Sequence, residues 1–580
     1  MNNEKLNHLR HSAAHLFAAA VMELWPDTKI TIGPAIENGF YYDADYGNIK
    51  LSEEDFPKIE QKMHELVKNW TGFERIEVSE KEARERFQNN PYKLELIDEI
   101  VGKGEPITLY KSGDFVDLCR GGHDLSPKDD LKHFKLMKLA GAYWRGEEKN
   151  KMLTRVYGTA FFTQKELEDY LWQMEEAKKR DHKKLGKELS LFTFSPVVGP
   201  GLPLFMPKGY KLRKRILDYL DSVKEEFGYQ FVVTPHIARS ELYKISKHWQ
   251  KYDAMMPPLV VEDDEYTMKP MNCPHHFQIY LAEPKSYRDL PLRMGENAVV
   301  YRYEKSGEIN GLFRVRALTQ DDSHWFVPHE LLGQEINHAI HLIERIYKDF
   351  GLPKFYARIS VRDPKNPDKY IGNPKIWDFA EAELLNAVKE KNIPYAIGEG
   401  EAAFYGPKID FMIKDSLGRE WQLTTLQLDF NQPENFNLTY TASDGTQKRP
   451  AVLHIAVLGS VERFMAIILE HFGGNLPTWL APIQVMLLPI ADRHAEYAQK
   501  VAEMLKEEGI RVEVDNSPER LQAKIRNATL QKIPFMGIIG DKEIEGEALS
   551  IRKRSGEDLG SIGIKEFSTL LKEEIDKKIV

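Results

Sequence analysis

The chain has 580 residues, 42% hydrophobic and 29% charged: too long for one core, and the composition of an ordinary globular protein. Its net charge of −9 argues against a protein that coats nucleic acid indiscriminately, although a local basic face can still bind RNA. Two cysteines, Cys119 and Cys273, exclude a disulfide framework, and no apolar run approaches the roughly 20 residues that span a bilayer.

The N-terminus, MNNEKLNHLRHSAAHLFAAAV, has an apolar patch interrupted by His11 and His15. It lacks a basic leader, a continuous apolar run and a cleavage site, so a cytoplasmic protein is expected. His11 and His15 are four apart and share one face of the predicted helix. Further on, DFVDLCRGGHD offers Asp117, Cys119 and His123, and HxxxH with CxxxH is a plausible four-ligand zinc set. Residues 1–163 mix helices and short strands and read as an α+β domain. Residues 164–190 begin as an amphipathic helix and become a dense basic run, predicting a linker helix. The stretch SPVVGPGLPLFMPKG cannot be helical and opens the next domain, 191–478.

Within that domain KIDFMIKDSLGREWQLTTLQLDF alternates apolar and polar residues around Gly418, a hairpin in a mostly antiparallel sheet flanked by helices. VVYRYEKSGEINGLFRVRALTQDDSHWF starts on a strand with Arg302 and Glu304 and returns with Arg314 and Arg316. Arginines on paired strands can grip a triphosphate and a carboxylate. A strand, AVLHIAVLG, leads into a helix opened by Gly459 and Ser460, with Arg463 in its first turn. No Gly-rich loop ending in Gly-Lys-Ser/Thr exists, so ATP is not held in the P-loop manner. Cys273, His324 and His454 are a thiolate and two imidazoles, which suit Zn²⁺ and leave one position for substrate. Spacing alone does not separate that set from a buried thiol and two core histidines. Beyond NLPTWLAPIQVMLLPI come strand 485–488, helix 494–508, strand 511–514, helix 519–532 and strand 535–540, an α/β domain over 479–580. Arg520 and Arg526 fall on its second helix, and Glu543, Arg552, Lys553 and Arg554 surround a short strand and turn. Such groups can hydrogen-bond unstacked bases.

In order, the segment TPHIARSELYKISKHWQKYDAMM, the Arg302–Arg314 pair and the Arg463 helix resemble the three signature motifs of class II aminoacyl-tRNA synthetases. MKPMNCPHH, SKHWQKY, RVRALTQDDSHWF and FYGPKIDF together resemble the threonyl-tRNA synthetase family, over essentially the whole chain. The resemblance implies an N-terminal α+β editing domain, an antiparallel-sheet class II catalytic core and a C-terminal α/β anticodon-binding domain. It implies activation of L-threonine with ATP and Mg²⁺, transfer to tRNA(Thr), and hydrolysis of mischarged seryl-tRNA. Position by position, it implies one Zn²⁺ per subunit on Cys273, His324 and His454. Arg302 would neutralise the α-phosphate, with Arg314 and Arg463 on the other phosphates or the adenine face. Gln422 and Gln427 would lie beside the nucleotide or amino acid, with Glu304 among the substrate-binding groups. Gln320, Asp322, Tyr405 and Lys408 would line the threonine pocket, and His248 would sit near the terminal ribose of tRNA. One departure is Leu318, where the family has a phenylalanine stacked on adenine; weaker stacking and weaker ATP affinity are expected.

Threonine and valine are nearly isosteric, so discrimination needs a group that engages the hydroxyl; serine keeps that hydroxyl and lacks only a methyl, worth about 1–3 kcal/mol. Hydrolytic editing is therefore expected. In the family, His11, His15, Asp117, Cys119 and His123, with a lysine matching Lys93, are assigned to water-mediated hydrolysis rather than to a needed metal. A homodimer is implied, and neither a membrane nor DNA is expected as partner. The chain begins almost directly at the editing helix, so the small domain preceding it in most bacterial relatives is expected to be absent. Two other readings are a prolyl or seryl synthetase and a synthetase-like RNA-binding regulator. The Cys273/His324/His454 set argues against the first. Retention of Arg302, Arg314, Arg463 and the three metal positions argues against the second.

Overall fold

The computed structural model describes residues 2–579, and the chain divides into two compact units, Met1–Glu175 and Glu176–Val580. In the first, the helix Asn2–Leu24 buries Leu9, Ala13, Leu16, Phe17 and Ala20 completely. Its small residues let it lie close against a five-stranded antiparallel sheet whose long members are Gly39–Asp45, Met152–Phe161 and His133–Tyr143. A second antiparallel sheet is formed by Glu74–Val78, Ile107–Ser112 and Phe115–Leu118. This is the α+β organisation anticipated from the sequence.

The single linker helix expected over 164–190 is instead two helices, Gln164–Arg180 and His182–Glu188. The break falls at Asp181, whose carboxylate accepts the Lys183 and Lys184 backbone N–H groups and so caps the second helix.

The second unit is built on an eight-stranded sheet. Its order is Tyr229–Phe231, Leu292–Tyr301, Ala317–Val327, Ala451–Ser460, Glu420–Asp429, Lys408–Lys414, Phe355–Val361, Tyr395–Glu399. The six central strands are antiparallel, and each edge strand pairs in parallel. The hairpin read around Gly418 is present, with that glycine at φ +78. Helices Pro207–Glu226, Leu332–Asp349, Pro374–Glu390 and Val461–Phe472 share one hydrophobic core with Trp325, Val327, Leu426, Leu428, Leu453 and Ile455 of the sheet. Strand side chains alternate between faces. With those residues turned to the helices, Gln320, Asp322, His324, Gln427 and His454 belong to the opposite face. That parity gathers the chemistry onto one surface.

Arg302, Glu304, Arg314 and Arg316 are not on paired strands, contrary to the sequence reading. The strands stop at Tyr301 and resume at Ala317, so all four lie in the connecting loop. Two further hydrogen bonds hold the loop's base: the Arg302 N–H donates to the Arg316 carbonyl at 2.9 Å, and the Arg316 N–H to that of Gly201 at 2.7 Å.

Another five-stranded sheet runs Val512–Val514, Val485–Pro489, Phe535–Ile539, Ala548–Lys553, Asp558–Gly563. The first three strands are parallel, with the helix Ala495–Glu507 between the first two in sequence, and the last two are antiparallel. The βαβ rhythm is as read.

One close approach makes a testable point. A Cβ on Gly209 would stand 1.8 Å from the Leu191 carbonyl oxygen. Gly209→Ala must push backbone apart in a packed interior and is expected to cost about 1–3 kcal/mol or more, read as a lower urea midpoint.

Candidate functional site

The central cleft has a volume of about 240 Å³ and is lined by Arg302, Glu304, Arg314, Gln320, Gln422 and Arg463, with Phe313 and Leu318 as apolar walls. Arg463 enters from the first turn of Val461–Phe472, where the Ser460 hydroxyl caps the helix by accepting the Arg463 N–H at 3.1 Å. A helix N-terminus carries partial positive charge, so dipole and guanidinium reinforce each other. Burial first, then the charges of Arg314 and Arg302, lowers the Arg463 pKa. Glu304 lies 3.8 Å from Arg314. The aromatic ring in this cleft is Phe313, stacked on Trp421 at 4.4 Å and 19°.

Cys273, His324 and His454 are buried and present donor atoms that all lie within 4.8 Å of one another. Cys273 begins the helix Cys273–Leu281, and the two histidines oppose each other across paired strands with rings 4.6 Å apart. Each imidazole has its other nitrogen tied down. His324 Nδ1 is 2.8 Å from His276 Nδ1, whose Nε2 is 3.2 Å from Glu296; His454 Nε2 is 2.9 Å from Asp429. Outer partners of this kind orient metal-ligating histidines. Burial, then the neighbouring His454 and His276, holds His324 well below the usual imidazole range, in the neutral ligand form. Burial also pushes the Cys273 thiol well up, a cost that a bound dication reverses. Removing the carboxylate charge behind His454, in Asp429→Asn, is expected to weaken cation binding about 10- to 100-fold, measured by competition with a chromophoric chelator.

Around this set, Asn272 donates to Asp322 at 3.0 Å, and Tyr405 has its ring 5.5 Å from His454. Gln320 Oε1, Asn272 Oδ1 and His248 Nε2 are buried without a partner, so this region holds unspent hydrogen-bonding capacity. His248 is fully buried beside Tyr405 and Phe404, its pKa pushed down to about 3 by burial and then by His454 and Arg302. Gln427 pairs across the strands with both His454 and Lys408 and donates to the Gly406 carbonyl. Lys408 is held by Asp410 at 2.6 Å and does not line the cleft; Asp410 also accepts from Gln422, Ser360 and Thr425. Sequence reasoning missed Asp429, His276, Glu296 and Asp410. Asp429 was readable by parity, two residues after Gln427 on one strand, and His276 by helical spacing from Cys273. Asp410 was readable in the same way as Asp429, two residues after Lys408, whereas Glu296 carried no such signal.

In the first unit, a pocket of about 380 Å³ is lined by His11, His15, Lys93, Asp117 and Cys119. His11 and His15 come from one helix face as read, with rings 4.6 and 4.9 Å from His123. Cys119 Sγ lies 3.6 Å from His11 Nε2 and 3.5 Å from His123 Nε2. Donor atoms of the four fall within 4.8 Å of one another, so the distances of a metal set are present too. Lys93 and Asp117 form a buried ion pair at 2.6 Å, and Tyr42, missed in the sequence, donates to Asp117 at 2.9 Å. Burial pushes the Cys119 thiol up to about 11 and, with the neighbouring histidines, His123 down to about 2. Near neutral pH this is a cluster of neutral imidazoles and a protonated thiol.

Of the C-terminal residues, Arg526 and Arg520 are exposed, but Arg520 is the residue capping the helix Leu521–Leu530 and not within it. Arg552 is half-buried on its strand, and Glu543 accepts the Gly540 N–H at 2.9 Å. Arg554 is not a free RNA-facing group. Its guanidinium clamps the carbonyls of Leu476, Lys532 and Asn475 at 2.7, 3.2 and 2.9 Å.

Residues 259–472 match the tRNA synthetase class II core domain (G, H, P, S and T), residues 484–574 the anticodon binding domain, and residues 107–157 the threonyl and alanyl tRNA synthetase second additional domain. The chain is 50% identical over 556 residues to a threonine–tRNA ligase of Deinococcus radiodurans, covering 94% of this chain and 85% of that one. It is 48% identical over 574 residues to that of Cytophaga hutchinsonii, covering 98% and 88%. Among solved structures, the RNA binding domain of threonyl-tRNA synthetase from Cryptosporidium parvum matches with a TM-score of 0.65 at 35% identity, covering 68% of this chain and 98% of that one. With a class II core, an anticodon-binding domain and the second additional domain in one chain, this protein belongs to the threonine–tRNA ligase family of class II aminoacyl-tRNA synthetases.

Proposed function

We propose that the central cleft activates L-threonine with Mg²⁺-ATP and transfers it to tRNA(Thr), and that the N-terminal pocket hydrolyses mischarged seryl-tRNA(Thr). One observation carries this reading: His324 and His454 on one sheet face, with Cys273 at the start of a helix, bring their donors together beside a cleft lined by Arg302, Arg314 and Arg463. An anion-gripping cleft next to a cation-holding set is what joining a nucleotide to a hydroxy amino acid requires. Arg302 and Arg314 would neutralise phosphate charge as the threonine carboxylate attacks, with Arg463 and the helix N-terminus behind them. Little covalent work falls to the protein, and positioning carries the step. Asp322, Gln320 and Tyr405 would enclose the amino acid, with Gln422, Gln427 and Glu304 at its border with the nucleotide. Lys408, across the strand pair from Gln427, would act from its ion pair with Asp410.

Cys273, His324 and His454 fit one Zn²⁺ per subunit, because a thiolate and two oriented imidazoles leave coordination open to a substrate that offers two donors. Bound there, zinc would coordinate the amino and hydroxyl groups that valine cannot both offer.

In the N-terminal pocket, the Lys93–Asp117 pair and the neutral histidines would hold and polarise water against a seryl ester. His11, His15, Cys119 and His123 are read as hydrolytic rather than as a second metal site, following the role that the family resemblance assigns to them; about one zinc per chain fits that reading, and two would restore the metal. Arg520, Arg526, Arg552 and Glu543 would read the anticodon, and His248 would serve the tRNA terminus once that buried region opens. The domains are read as 1–163 editing, 164–190 linker, 191–478 catalytic and 479–580 anticodon-binding.

A homodimer is proposed through the region after Pro235. The three-stranded sheet there exposes Ile237 at 47%, Leu259 at 49% and Val260 at 74%, apolar surface that a second copy would cover. A cytoplasmic location follows from the role in translation; among the described residues no helix is long and apolar enough to cross a membrane.

Threonine-dependent ATP–pyrophosphate exchange and deacylation of seryl-tRNA(Thr) test both halves. Exchange with threonine and fast seryl deacylation are expected. Tight tRNA binding with no exchange would replace this reading with an RNA-binding regulator.

A further inference from the structure

His182 lies outside every motif considered above, yet it is 1% exposed and both its ring nitrogens are engaged. The Leu312 backbone N–H donates to His182 Nε2 at 3.0 Å. That N–H can only meet a lone pair, so Nδ1 must carry the ring proton, and it donates to Glu470 Oε1 at 2.7 Å. The His182 backbone N–H donates to the same oxygen at 2.9 Å, and Arg419 holds the other carboxylate oxygen at 2.6 Å. Asp181, His182 and Glu470 cluster closely enough to suggest a cation, but this imidazole has no free nitrogen to offer one.

What the ring holds is the loop between the cleft arginines. Leu312 is followed by Phe313 and Arg314, both in the cleft wall, and the Phe313 ring packs edge-on to His182 at 4.4 Å. The Phe313 carbonyl accepts from Arg463 Nε at 3.2 Å. Gly311 permits the approach. It sits at φ +51, and a Cβ there would come within 2.1 Å of His182 Nε2. Glu470 belongs to the helix that carries Arg463 at its opposite end. One rigid helix therefore fixes both Arg463 and, through Glu470 and His182, the loop bearing Arg314.

We propose that His182 is a positioning residue for nucleotide binding: its neutral Nδ1–H form clamps the Leu312 amide and sets Phe313 and Arg314 against Arg463. The proposal rests on reading the cleft as the ATP site. Because threonine is assigned to the metal side, losing the clamp should affect ATP selectively.

The test is steady-state ATP–pyrophosphate exchange with ATP and threonine varied separately. His182→Ala is expected to raise the KM for ATP about 10- to 100-fold, the scale of a misplaced binding group, with the KM for threonine and seryl-tRNA deacylation unchanged. His182→Gln, whose amide oxygen can accept the Leu312 N–H, is expected to recover most of the loss. An unchanged KM for ATP in His182→Ala, parallel losses for both substrates, or glutamine no better than alanine would overturn the proposal. Should His182→Ala fail to fold, Gly311→Ala decides instead, since its methyl pushes the loop off an intact His182; a parental KM for ATP there overturns it as well. The parent protein is run alongside. No exchange in the parent rejects the ATP site itself, whereas an active parent with insensitive variants rejects only the clamp.

Discussion

Cys273→Ser is expected to strip the protein of zinc and to cut threonine-dependent exchange by about 10³-fold or more, as when a buried polar site loses the partner it was built around. Serine keeps the size but replaces a soft sulfur, far easier to ionise against a metal than an alcohol, with a hard hydroxyl that stays protonated. His324 and His454 would remain oriented by His276 and Asp429, so the loss is chemical and not a collapse of the fold. Metal analysis and exchange kinetics on the same preparation check it. Full zinc content in the serine variant would remove Cys273 from the ligand set, and full activity without zinc would remove the metal from threonine selection.

Lys93→Met is expected to act on the other unit, in two ways that can be separated. The ammonium is 2.6 Å from Asp117, both side chains are 2% exposed, and deleting one partner leaves the other charge buried and unpaired. Breaking such a pair costs about 3–5 kcal/mol. Seryl-tRNA deacylation should fall about 10²- to 10⁴-fold, the usual range for a group that assists proton transfer, while threonine activation continues. Adding Asp117→Leu removes the stranded carboxylate but leaves the buried Tyr42 hydroxyl without its acceptor, so it should recover part of the stability without restoring deacylation. If hydrolysis returned with stability, the pair would be only structural.

Much of this was legible because it depends on local pattern. Four-residue spacing put His11 and His15 on one helix face, and period-two alternation around Gly418 gave the hairpin. The same alternation, applied to strands 317–327, 420–429 and 451–460, places His324, Gln427 and His454 together. What the sequence did not reveal depends on where the chain meets itself. Arg302 and Arg314 looked like strand residues because apolar alternation runs up to them, but pairing stops at Tyr301. The basic run after Gln164 looked like one helix because lysines are good helix formers; the Asp181 cap broke it. Arg554 resembled its basic neighbours Arg552 and Lys553 until three backbone carbonyls proved to be its partners. The Glu470–His182–Leu312 chain joins residues 182, 312 and 470, and no local signal links them.

The most direct test of the account is exchange with threonine and with valine, using protein analysed for zinc before and after chelation and re-addition. The account predicts about one zinc per chain, as befits three ligands and an open position, with threonine activation lost on stripping and regained on repletion. Zinc-free protein that activates threonine and rejects valine at full strength would contradict it.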